Sequence, residues 1–170
     1  MKKVFIFVMM CLFTMTISKA AEPVGDYLPQ NFHMFVNGHI GTYVDKPSGA
    51  NCDGTVLGGS IVGGYQFSRI VNGGIGMAPA YAELWTKHGG SESYEVPIFA
   101  QIRLDNMDKK INPYGEFRIG AVIFEKGSAA LYLNTGFGVR IKRFNIGISY
   151  TEEINDGHTG YFGGMIGIVI

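Results

Sequence analysis

Four charged side chains and two amides recur at a spacing that brings them onto one surface. Arg103, Glu116, Arg118 and Arg140, with Gln101 and Asn134, all fall at alternate positions of three consecutive segments. Side chains two residues apart in a strand share a face. If the first two of these segments turn about Lys109-Lys110, Arg103 lies opposite Glu116 and Gln101 opposite Arg118. A register centred on Lys126 then sets Asn134 beside Arg118 and Tyr132 beside Gly120. Such a cluster can act as a charge-paired structural plug, or it can line a narrow ion path or anion site. An isolated buried charge is very costly, so pairing is the expected state.

The other chemistry-bearing residues converge less well. His33 and His39 share a face, but six residues of strand separate them by about 20 Å, too far to ligate one metal together. His88 and His158 stand in polar connections near Glu83, Glu92, Glu152, Glu153 and Asp156, as solvated loop residues do. His158 neighbours Thr159 and His88 lies three residues before Ser91. A nucleophile also needs a base within hydrogen-bond reach and a group orienting that base, which proximity in a loop does not supply. No catalytic set, metal site or cofactor is expected, and the chain does not read as an enzyme. Cys11 lies in the leader described below, which leaves Cys52 without an intramolecular partner after processing.

The segments that must position these residues alternate apolar and polar side chains over roughly ten residues each, with turn residues between them. Eight can be read. They are Asn31 to Val44, Thr55 to Phe67, a glycine-rich Ile70 to Thr86, Val96 to Asp105, Ile111 to Phe124, Leu131 to Ile141, Arg143 to Thr151, and Thr159 to Ile170. The fourth is cleanest: Val96, Ile98, Ala100, Ile102 and Leu104 face one way, and Phe99, Gln101, Arg103 and Asp105 the other. A helix would not sort them so. Connections after the first, third and seventh segments are long or polar (Asp45 to Gly54, Lys87 to Ser93, Glu152 to His158). Those after the second, fourth and sixth are short (Ser68-Arg69, Asn106 to Lys110, Lys142-Arg143). Alternating short turns and longer loops is the habit of membrane barrels.

Composition agrees. Residues 1 to 20 read as a secretory signal, with Lys2 and Lys3, an apolar run from Val4 to Ile17, and Ser18-Lys19-Ala20 before the cleavage point. Residues 21 to 170 then form one domain. Removing Lys2, Lys3 and Lys19 leaves 14 − 3 = 11 Lys and Arg against 14 Asp and Glu, about −3 overall. That balance lacks the basic stripe of a nucleic-acid binder. Hydrophobic residues are 46% and charged ones 16%, yet no apolar run is long enough for a membrane helix. Tyr43, Tyr65, Phe67, Tyr94, Phe124, Phe144, Tyr150, Tyr161 and Phe162 lie near segment ends, as interfacial aromatic girdles do. The expected fold is all-β, a closed antiparallel up-and-down barrel of about eight strands that crosses a membrane.

The runs Pro97-Ile98-Phe99-Ala100-Gln101-Ile102-Arg103, Asn112-Pro113-Tyr114-Gly115-Glu116-Phe117-Arg118-Ile119-Gly120 and Asn145-Ile146-Gly147-Ile148-Ser149-Tyr150-Thr151 resemble the small outer-membrane β-barrel proteins of the OmpA/OmpX type and their porin-like relatives. The resemblance covers most of the processed chain. It implies an antiparallel barrel inserted in the bacterial outer membrane by the assembly machinery of that membrane, and it implies no substrate. Within that membrane reading, a monomer among outer-membrane lipids and lipopolysaccharide with a structural or surface-interaction role is expected. Members commonly close on an aromatic residue where this sequence has Ile170. The alternatives left open are a small pore, a lipid-A-modifying barrel enzyme, and a soluble secreted barrel of the lipocalin kind, which also alternates but turns its apolar face inward.

Overall fold

The computed structural model describes residues 32–45, 53–86, 89–124, 128–154 and 158–170. The expected signal and Cys52 lie outside them, as do His88 and Asp156. Among the described residues there are nine strands: β1 (Phe32–Asp45), β2 (Asp53–Gln66), β3 (Val71–Met77), β4 (Ala80–Thr86), β5 (Gly89–Asp105), β6 (Ile111–Phe124), β7 (Ala129–Ile141), β8 (Phe144–Ile154) and β9 (His158–Val169). All pairings are antiparallel; consecutive strands pair with each other except β3 and β4, and β1 also pairs with β9 from Phe35 opposite Val169 to Asp45 opposite Gly160. The sheet therefore closes on itself and leaves no edge.

β3 and β4 are two halves of one barrel stave. Both pair with β2 on one side and β5 on the other, and the register does not change between them: Met77 stands opposite Ile98, and Ala80 opposite Glu95. Only the hydrogen bonding is interrupted, at Ala78-Pro79. Pro79 and Pro97 meet there at the same height, and neither has an N–H to donate. Their carbonyls still accept, Pro79 from the Gly59 N–H at 3.1 Å and Pro97 from the Ala78 N–H at 2.9 Å. The eight-stranded closed barrel read from the sequence is thus the observed fold, with its third stave broken once.

Two connections differ from expectation. Residues 89–93, read as part of a loop, are strand, and β5 pairs with β4 from Thr86 opposite Gly89 to Ala80 opposite Glu95. The misreading has a physical cause: Ser91, Glu92, Ser93 and Glu95 are all polar, so the apolar contrast that marks a strand disappears. Likewise Glu152, Glu153 and His158 belong to β8 and β9 rather than to a loop.

The alternation sorts the side chains as the period of two requires. Outward positions carry exposed apolar residues all the way round, among them Ile75 at 72%, Phe67 at 69%, Ile166 at 66% and Phe32 at 64%. Along β6 this belt runs from Ile111 to Ile123, a height of about 30 Å for a strand tilted by roughly 40°. Inward positions hold two apolar groups. One contains Phe35, Val62, Phe99, Met107, Tyr132 and Val169, and the other, nearer the long-loop end, contains Tyr43, Val56, Ala80, Ala82 and Tyr161. Tyr43 and Tyr161, expected in an aromatic girdle, instead meet edge-to-face inside the barrel, 5.7 Å between ring centroids. A register shift between Tyr43 and Asp45 marks an irregularity in that part of β1.

Candidate functional site

The interior at the short-turn half is a network of charges. Arg103, with no solvent exposure, donates through Nε and Nη2 to Asp105 Oδ2 at 3.3 and 3.1 Å, through Nη1 to Glu116 Oε2 at 3.3 Å, and through Nη2 to Asn145 Oδ1 at 2.8 Å. Its guanidinium lies between the rings of Tyr114 and Phe35, 3.7 and 4.7 Å from their centroids. This is the planar, many-donor recognition to which arginine is suited and lysine is not.

Arg118 sits one layer higher. Its Nη2 lies 2.7 Å from Glu116 Oε1, its Nε donates to Gln101 Oε1 at 2.9 Å, and its Nη1 reaches Ser60 Oγ at 3.5 Å. The Phe99 ring covers it at 4.9 Å. Glu116 therefore bridges Arg103 and Arg118. The pairing beneath this is the one the turn positions predict: Arg103 opposite Glu116, Gln101 opposite Arg118, Asn134 beside Arg118 and Tyr132 beside Gly120. The last pairing leaves room for Tyr132 to stack on Phe99, 5.5 Å between centroids. A Cβ on Gly120 would instead collide with the backbone of Ile98 and Phe99.

Arg140 closes the short-turn end. Its Nε donates to Asp105 Oδ2 and Oδ1 at 2.9 and 3.1 Å, and its Nη atoms donate to the carbonyls of Lys142, Asn106 and Lys109 at 2.6, 2.8 and 3.0 Å. Asp105 also accepts from Asn112 Nδ2 at 3.0 Å. Two guanidiniums and one amide thus converge on a single carboxylate. The sequence reading put Asp105 on the polar face but not in the cluster. The signal was available, since Asp105 stands two residues after Arg103 on that face; what it lacked was a cross-strand charge, because Tyr114 is its neighbour on β6.

Of the residues singled out from the sequence, Gln101, Arg103, Glu116, Arg118 and Arg140 join one network. Asn134 is buried close by but donates to Thr151 Oγ1 at 2.7 Å. His33 faces inward and contacts Gln66 Oε1 through Nε2 at 3.2 Å. At the long-loop end, Glu95 and Glu153 are 2% and 5% exposed and lie close enough to interact electrostatically. Among the described residues, no group of three or more His, Cys, Asp or Glu is arranged to hold a metal ion.

A closed eight-stranded barrel with an apolar outer belt and a packed polar interior has close counterparts among solved structures. The fold is that of the small outer-membrane β-barrels. The outer-membrane enzyme PagL superposes with a TM-score of 0.59 at 12% identity, over 79% of this chain and 98% of PagL. OprG of Pseudomonas aeruginosa gives 0.52 at 12%, over 82% and 95%. Ail of Yersinia pestis, solved with the heparin analogue sucrose octasulfate, gives 0.53 at 16%, over 84% and 100%. At these identities the likeness is one of fold. No family model matches the sequence, and no curated protein does.

Proposed function

We propose that this protein is a resident of the bacterial outer membrane, a barrel with a side-chain-filled interior that serves as a structural or surface-interaction element and not as a solute channel. The observation that carries the reading is the charge-paired network on Asp105 and Glu116. An eight-stranded barrel has an interior just wide enough for side chains to fill it. Here three guanidiniums and two carboxylates from β5, β6 and β7 meet inside that space with no solvent exposure at Arg103 or Arg140. The membrane setting is supported by the outer belt. Isoleucines and phenylalanines exposed around the whole circumference would drive a water-soluble barrel to aggregate, and their height suits a hydrocarbon core of about 30 Å. The soluble lipocalin arrangement would place the apolar face inside, opposite to what β5, β6 and β7 display. The long-loop end faces the exterior in this reading, and any partner is met there.

Cell fractionation with a heat-modifiability gel tests the placement. The account expects the protein in the detergent-requiring envelope fraction, with a mobility that changes on boiling. Recovery from the periplasm without detergent would contradict it.

A further inference from the structure

We infer that the short-turn end carries a docking site for an anionic phospholipid, its headgroup held by Lys110, Lys142 and Arg143 and an acyl chain laid along Ile111, Ile141 and Phe144. The inference deepens the membrane-spanning reading above and rests on it. It begins from an asymmetry. Arg69, Lys109, Lys110, Lys142 and Arg143 gather on the three short turns at one end of the barrel; the connections at the other end also carry Lys46, Lys87 and Lys126, which lie outside the described residues, so the asymmetry is one of net charge. Among the described residues, Glu83, Glu92 and Glu152 lie at that other end, and the three short turns carry one carboxylate, Asp108, which pairs with Arg69 at 3.6 Å.

Two of these turns are fastened together into one surface. The Lys142 N–H donates to the Lys110 carbonyl. From inside the barrel, the Arg140 guanidinium binds the Asn106 and Lys109 carbonyls of one turn and the Lys142 carbonyl of the other. Lys142 takes a left-handed backbone conformation, φ 55°, which makes the tight corner. Lys110, Lys142 and Arg143 are therefore brought together on one rim by the buried network, and their exposed side chains need little further ordering to receive an anion. Directly below, Ile111 pairs with Ile141 and Ile141 with Phe144. All three point outward and are 61%, 47% and 64% exposed. A cationic rim over an apolar strip in hydrocarbon matches a molecule with a phosphodiester above and an acyl chain below, which a free phosphate or a zwitterionic lipid satisfies only in part.

The test uses the whole folded protein in neutral detergent, with phosphatidylglycerol and phosphatidylcholine of identical acyl chains, and counts the lipids retained by native mass spectrometry. Each cation near an anionic surface contributes about 1 kcal/mol, so a preference for phosphatidylglycerol of about tenfold or more is expected, reduced at about 0.5 M salt. The combined variant Lys110→Gln, Lys142→Asn and Arg143→Gln should lose the preference while keeping its heat-modifiable mobility; Asn tolerates the left-handed conformation at 142. Lys110→Arg should keep the preference. Equal retention of the two lipids by the wild type, an undiminished preference in the triple variant, or displacement by inorganic phosphate or preferential retention of lipid A would each overturn the inference. A chain that stays soluble without detergent would overturn the membrane reading itself, a result distinct from a detergent-held barrel indifferent to headgroup charge.

Discussion

Asp105 shows how much one side chain can hold in this lumen. It answers Arg103 and Arg140 together, both without solvent exposure. Removing one partner of a buried pair strands the other charge, at about 3–5 kcal/mol. Asp105→Ala is therefore expected to lower unfolding stability in detergent by at least that much, measured by urea titration. Asp108→Ala, three residues on, removes a pair whose arginine is 77% exposed and is expected to change stability by less than about 1 kcal/mol. Equal effects of the two substitutions would refute the network as drawn. The pairs Arg103–Glu116 and Gln101–Arg118 were legible in the sequence because period two and a turn centre fix cross-strand neighbours. The convergence on Asp105 was not, because Arg140 reaches it from β7 past the intervening β6, a contact that strand pairing does not encode.

At the level of the strands, the two faces of β5, β6 and β7 were readable because lipid and lumen impose opposite polarity on alternate residues. The signal fails where that contrast fails. The first residues of β5 are polar on both faces and read as loop, and Tyr43 and Tyr161 read as interfacial when they pack inside. Ile119 points outward, 48% exposed, in the middle of β6. Ile119→Arg is expected to destabilise the barrel in bilayers by about 2–4 kcal/mol, read from reversible unfolding in lipid vesicles; in a water-facing barrel the same change would be nearly neutral. The prolines at the broken stave give a second test. Pro97→Val restores an N–H beside Ala78 in an antiparallel pair whose other bond already exists. A gain of about 1 kcal/mol is expected from the added hydrogen bond and β propensity. A loss would mean that the interruption at Ala78-Pro79 is set by packing and not by the missing donor.

For the molecule as a whole, strand count and closure follow from the sequence pattern, because an antiparallel barrel with an apolar belt permits few other arrangements; the expected division into long and short connections holds only for the one between β1 and β2, since most of Lys87 to Ser93 and of Glu152 to His158 is drawn into strands. The charge asymmetry between the two ends, and its fastening through Arg140, required coordinates. In the proposed reading the paired charges close the lumen to solutes, and planar-bilayer recording tests this directly. Purified, heat-modifiable barrel inserted in a neutral bilayer should give no stable conductance steps above baseline, and the account predicts that silence for the wild type. Large, reproducible steps from the folded wild-type protein would contradict it.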